Sequence, residues 1–117
     1  MIARTWRGAT AATDGDLYFN YLLETGVKEC ESTPGNCGVY VLRRTDGDRC
    51  EFLFVSLWES MKAVREFAGS DTGRGVFYPE DERYLIEFDA DVHHYEVVKG
   101  PATGTSCSDS PRPTRTA

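Results

Sequence analysis

The run Phe52-Leu53-Phe54-Val55-Ser56-Leu57-Trp58 is apolar at both alternating sets of positions. Successive residues of a strand point to opposite faces, so this strand needs cover on both. A chain of 117 residues can supply helices for one face. For the other, a second copy of the same sheet is the simplest supplier. The expectation is one α+β domain that pairs with itself to complete a sheet-walled pocket.

The flanking segments fit that frame. Gly38 to Arg44 and Glu51 to Trp58 read as strands, and Thr45-Asp46-Gly47-Asp48 between them carries the Asp-Gly pair of a tight hairpin. Ile2 to Arg7 reads as a first strand that breaks at Gly8. Thr13 and Asp14 offer an N-cap to a helix whose apolar positions are Leu17, Tyr18, Tyr21, Leu22 and Val27, with Gly26 as an end signal. Ser32-Thr33-Pro34-Gly35-Asn36 is a turn cluster. Ser60 caps a second helix with Met61, Val64, Phe67 and Ala68 as its stripe and Gly69 as its end.

Beyond Gly75, Tyr78 to Glu82 reads as a turn or one helical turn, Tyr84 to Phe88 is ambiguous, and Val92 to Val98 is a last strand. The order β-α-β-β-α-β is the ferredoxin-like arrangement with an antiparallel sheet. Residues 1–99 form that domain. Residues 100–117, dominated by Pro, Ser, Thr and Gly, read as a flexible tail.

Composition excludes several classes. A net charge of −6, with ten Arg and three Lys scattered along the chain, argues against nucleic acid as the partner. No apolar run is long enough to span a bilayer, so no membrane role is expected, and the first residues do not read as a signal peptide. Cys30, Cys37, Cys50 and Cys107 lack metal-ligand spacing, which favours four reduced thiols in a cytoplasmic protein. No metal, phosphate or dinucleotide motif is present, so no cofactor is expected.

The string Ser56-Leu57-Trp58-Glu59-Ser60, followed by Val64, Phe67 and Asp71, resembles the antibiotic biosynthesis monooxygenase family. So do Thr33-Pro34-Gly35-Asn36, Gly38 to Arg44, the Tyr-Pro-Glu-Asp-Glu run from Tyr78, and His94 to Val98, which look like an uncharacterised branch of it. The resemblance covers residues 2 to 98. It implies a dimeric α+β barrel in which two sheets face each other, and a small aromatic or polyketide-like substrate of secondary metabolism. Quinone-forming members combine a Trp at the position of Trp58 with an Asn four residues earlier and a Tyr six residues later. Here those places hold Phe54 and Val64. Haem-degrading members carry an Asn on the first strand, a Trp in the second helix and an axial His soon after. Here the helix offers Phe67, and no His lies in the loop up to Tyr84.

Candidate site residues follow from chemistry and alternation. His94 titrates near neutrality and suits a general base towards a phenol, or a structural His bonded to backbone or carboxylate. Alternation puts Val92, His94, Glu96 and Val98 on one face and His93, Tyr95 and Val97 on the other. Trp58 suits a wall that stacks on an aromatic substrate, or an anchor between sheet and helix. Arg4 and Trp6 share one face of the first strand, and Arg4 suits either an anionic substrate or a salt bridge. Tyr40 and Tyr78 offer hydroxyl donors to a pocket or pack as rings. Asp81 reads as a backbone cap, and Glu80-Asp81-Glu82 as a solvated charge run. Two functions follow: a cofactor-independent monooxygenase, or a non-catalytic dimeric binding protein of the same fold.

Overall fold

The computed structural model describes residues 1–101. The elements are β1 (Ile2–Ala11), α1 (Gly15–Leu22), α2 (Lys28–Glu31), β2 (Asn36–Asp46), β3 (Arg49–Trp58), α3 (Met61–Ala68), α4 (Asp81–Tyr84), β4 (Leu85–Phe88) and β5 (His93–Glu96). A short 3-10 turn, Ala12–Asp14, leads into α1, and one π-helical turn, Leu23–Val27, joins α1 to α2. The sheet is antiparallel, in the order β2-β3-β1-β4, with β5 also on β1. This is the expected ferredoxin-like α+β arrangement, with its last strand in two pieces. Cys107 and the tail beyond residue 101 lie outside the described residues.

Register explains the two-faced strand. Phe52, Phe54, Ser56 and Trp58 of β3 stand opposite Gly8, Trp6, Arg4 and Ile2 of β1. This inner face packs under the helices. Tyr18 and Leu22 cover Cys50 and Phe52 at one end, and Cys30, Ala63 and Val64 cover Trp58 at the other. Each large apolar side chain fully buried here contributes about 1.5–3 kcal/mol. The outer face carries Leu53, Val55 and Leu57 of β3, with Leu42 and Tyr40 of β2 opposite Leu53 and Val55. No helix covers it, and Tyr40, Leu42 and Tyr95 are each half exposed or more.

Three local signals read differently in three dimensions. Gly8 does not break β1. It lies within the strand, and a Cβ there would come within 2.5 Å of the Trp6 ring. The absent side chain is the space in which that indole lies. Gly26 does not end the first helix either. A helix-interior glycine costs about 1 kcal/mol against alanine, yet here it sits in the π-helical turn against Phe54, and the chain stays helical to Glu31. At the hairpin, Gly47 has the positive φ of 64° that the tight turn demands.

The last strand is split because its middle bonds elsewhere. Between β4 and β5, the Ala90 carbonyl accepts from the Gly75 N–H, and the Val92 N–H donates to the Gly73 carbonyl. The loop after α3 is thereby tied across the sheet edge. Cys30 and Cys50 are free, buried thiols, whereas Cys37 is disulfide-bonded, so the expectation of four reduced thiols does not hold at Cys37. Among the described residues, no helix is long and apolar enough to cross a membrane.

The Ser60 hydroxyl accepts the Ala63 N–H at 3.2 Å and so caps α3. Ser60→Ala should cost about 1 kcal/mol, and Ser60→Gly only a few tenths. Urea denaturation of the two variants against the parent chain checks the difference.

Candidate functional site

Under the helix-covered face, where β1 and β3 meet the π-helical turn and the loop after α3, lies a cavity of about 60 Å³. At 10–15 Å³ per water this holds roughly four to six waters, or about one substituted aromatic ring. Its walls are mainly apolar and aromatic, including Trp6, Phe54, Phe67 and Phe77. Polar atoms enter from Arg4, Cys30, Ser56, Tyr78 and Asp81.

Arg4 dominates the electrostatics. It is 5% exposed, and no carboxylate pairs with it among the described residues. Its Nη1 donates to the Thr72 carbonyl at 2.7 Å and its Nη2 to the Arg74 carbonyl at 3.0 Å. Nη1 also lies 3.0 Å from His94 Nε2. A guanidinium can only donate, so His94 accepts through Nε2 and holds its proton on Nδ1. Burial, and then the Arg4 charge and His93, push the His94 pKa down, keeping the ring neutral. Burial also lowers the Arg4 pKa, though not enough to matter for so strong a base. A buried cation without an anion is costly, and carbonyl dipoles offset only part of the loss.

Cys30 reaches the cavity from α2. Burial pushes its thiol up to about 12, so it is a neutral wall group and not a nucleophile. Tyr78 is held from its backbone, where the Asp81 Oδ2 accepts the Tyr78 N–H at 2.6 Å. Its own hydroxyl is buried and has no hydrogen-bond partner. Burial pushes its pKa well up, so the phenol keeps its proton and stays a donor. Asp81, 5% exposed, also accepts the Tyr18 O–H at 3.3 Å. It caps backbone as expected, but it is not part of a solvated charge run. The Tyr21 hydroxyl accepts the Glu80 N–H at 2.9 Å and pins the same turn to α1.

The structure brings Arg4, Trp6 and Tyr78 to one cavity, with His94 behind Arg4. His94 and Arg4 are register partners, so the inward register of β5 is the one found, and His93 is exposed. Trp58 stands apart from the cavity walls. It is fully buried, its N–H donates to the Ser56 Oγ at 2.8 Å, and its ring lies 5.3 Å from Phe67. Its visible part is that of an anchor, touching the cavity only through Ser56 and Phe67. Tyr40 lies on the outer face of the sheet, far from Arg4 in direction. Gly26, Cys30, Phe54, Phe77 and Asp81 were not read from the sequence as cavity residues, since nothing in their spacing marks a shared wall. Among the described residues, no three His, Cys, Asp or Glu side chains gather as a metal site.

Comparison with known proteins gives the fold. No protein-family model matches the chain, and no curated protein matches it. Among solved structures, it is similar to a candidate antibiotic biosynthesis monooxygenase from Bacillus cereus. That match has 19% identity over 87% of this chain and 95% of the other, with a TM-score of 0.63. It is also similar to one from Chloroflexus aurantiacus, with 16% identity over 88% and 98% of the two chains and a TM-score of 0.55. The heme-degrader MhuD of Mycobacterium tuberculosis, solved with two hemes in its active site, matches with 17% identity over 87% and 100% and a TM-score of 0.55. The chain has the fold that these proteins share.

The His94 shift fixes a pH dependence. A lowered folded pKa contributes stability that is present above the ordinary value near 6.5 and is lost as pH falls through the folded value. Asp81, whose pKa burial raises, acts in the opposite sense and gains stability on acidification. Denaturation midpoints from pH 7.5 to 5.5 should therefore fall more steeply in the parent chain than in His94→Gln. Parallel curves would show that His94 does not titrate against Arg4.

Proposed function

We propose that this protein is a homodimeric small-molecule enzyme of the cofactor-independent monooxygenase type. Its cavity takes a compact aromatic compound, with a phenolic or carboxylate oxygen seated on Arg4. The observation that carries the reading is the buried Arg4 guanidinium, which lines an aromatic-walled cavity and pairs with no carboxylate among the described residues. A ligand oxyanion supplies the missing counter-charge by a charge-assisted bond. Tyr78 lines the same cavity, and its unpartnered hydroxyl is buried in that wall. Trp6, Phe54, Phe67 and Phe77 give the ring its apolar surroundings.

In the catalytic form, the phenol oxygen takes over the Arg4 Nη1 contact now made by His94. The freed His94 Nε2 lone pair accepts the phenolic proton, and the phenolate pairs with Arg4. The electron-rich ring then reacts with dioxygen. One oxygen atom becomes the quinone carbonyl, and the other leaves as water with the phenolic and ring hydrogens. Trp58 supports this by fixing Ser56 and Phe67. Haem does not fit the same cavity, whose volume is far below that of a macrocycle.

One observation favours a second reading, a binding protein without catalysis. The Arg4 bond already occupies the His94 lone pair, and burial weakens that ring as a base. Oxygen-electrode assays over a panel of phenols separate the two. Uptake equal to quinone formed, lost in His94→Ala, supports the oxygenase. Thermal stabilisation by a ligand without uptake leaves only the binder. In both readings Arg4→Met should weaken an anionic ligand roughly 10- to 100-fold, the equivalent of one charged hydrogen bond. Unchanged affinity by calorimetry removes the reading.

The proposed dimer uses the outer face of the sheet. Tyr40, Leu42, Leu53, Val55 and Leu57 form an apolar field there, which a second copy covers with its own. Leu42→Asp or Val55→Asp should give a folded monomer by analytical ultracentrifugation. A parent chain that sediments as a monomer defeats the proposal.

A further inference from the structure

We propose that Asp81 is a ligand-contacting residue at the mouth of the cavity, which selects compact aromatics carrying a hydroxyl or amine donor opposite the oxyanion held by Arg4. This rests on the reading of the cavity as a ligand site and names the class of ligand it takes.

Four observations carry it. Asp81 lines the inner cavity with Arg4, and it also lines an outer groove of about 460 Å³ together with Phe77 and Tyr78. Arg4 is absent from the groove lining; with cavity and groove taken as one passage, Arg4 stands at the inner end and Asp81 at the mouth. Asp81 is 5% exposed and has no cationic partner among the described residues, so a negative pole is held out of water. A carboxylate offers about four acceptor sites. Among the described residues two donors reach it, the Tyr78 N–H at 2.6 Å on Oδ2 and the Tyr18 O–H on Oδ1 at a long 3.3 Å.

Capping alone does not account for the charge. An asparagine or serine accepts the Tyr78 N–H equally well without burying an anion. The spare capacity lies on Oδ1, whose single bond is the weaker of the two. A ligand donor placed there recovers what burial removes, and an otherwise identical ligand without the donor leaves the pole uncompensated. Such a passage is dipolar, positive inside and negative at the mouth. It rejects a second carboxylate at the outer end, where like charges repel.

The test is calorimetric binding of benzoate and of its three monohydroxy isomers to the full chain. At least one isomer should bind roughly tenfold or more tightly than benzoate, as expected for a hydrogen bond to a charged acceptor. Asp81→Asn, which keeps a cap on the Tyr78 N–H, should remove that preference, so that no hydroxy isomer binds more than about twofold tighter than benzoate to the variant. The preference surviving in Asp81→Asn, or no isomer exceeding benzoate in the parent chain, overturns the assignment of Asp81 while the Arg4 site stands. Failure of every compound to bind the parent chain overturns the ligand-site reading and this inference with it. Where Asp81→Asn does not fold, Tyr18→Phe decides. It frees Oδ1 and should widen the preference, and an unchanged or narrowed preference overturns the proposal.

Discussion

A guanidinium held out of water is the interaction on which the site depends. Arg4 takes the Thr72 and Arg74 carbonyls and the His94 ring as partners, and these come from the loop after α3 and from β5. One side chain on β1 therefore ties the sheet edge to the loop that roofs the cavity. The same loop is also held by the Arg74–Asp91 ion pair and by Phe77 against Trp6 and Phe88. Its further backbone bonds, Gly73 and Gly75 to Val92 and Ala90, exist only because the last strand is interrupted. Splitting that strand sacrifices ladder bonds and gains a roof. The arrangement is stable because every carbonyl turned towards Arg4 is used, and it is poised for a ligand because none of them is an anion.

The same sheet serves two purposes on its two faces. Inward, β3 carries Phe52, Phe54, Ser56 and Trp58, and the helices pack closely at both ends of this row. In the middle, at Phe54, the packing is looser. Gly26 has no side chain to fill the space, and the π-helical turn there widens the helix. Extra helical residues of this kind often occur at functional sites. The cavity is thus the interval between two well-packed clusters, not a defect in either. Outward, β2 and β3 present an apolar surface that no described helix covers, and the proposed dimer is what would cover it. Filling one face does not relieve the need on the other, because alternation forbids any side chain from serving both.

How much of this was legible in the sequence depends on range. The hairpin, the Ser60 cap and the two-faced strand rest on residues within a few positions of each other, and all three stand in the structure. Gly8 and Gly26 were read as stops because glycine is intrinsically unfavourable within strands and helices. Their true role, making room for Trp6 and for the cavity, is a tertiary effect that no local propensity contains. At the site, Arg4 and His94 were each recognised by chemical type. Their pairing across 90 residues needed the register of β5 on β1. Trp58 drew attention for its place at a strand–helix junction, where its indole proves an anchor for Ser56. Asp81 looked like one acid in a solvated run. Only the fold shows that the middle member of Glu80-Asp81-Glu82 turns inward while its neighbours stay in water.

The inner bond between Arg4 and His94 bears on whether such a site can do chemistry. In the free protein burial, and then the Arg4 charge, lower the basicity of His94, which counts against it as a base. Yet part of the cause is removable, although burial, the largest part, stays. The removable part is the adjacent Arg4 charge. A phenolate seated on Arg4 neutralises that charge and vacates the Nε2 lone pair, so the ring becomes a better base as the proton leaves the substrate. Ligand deprotonation and histidine protonation then favour each other, because the ion pair formed on Arg4 removes the repulsion that opposed an imidazolium. A substrate whose oxygen cannot ionise gains nothing from this exchange and leaves His94 where it is. In the proposed enzyme, selection for acidic phenols would thus follow from the resting hydrogen bond itself.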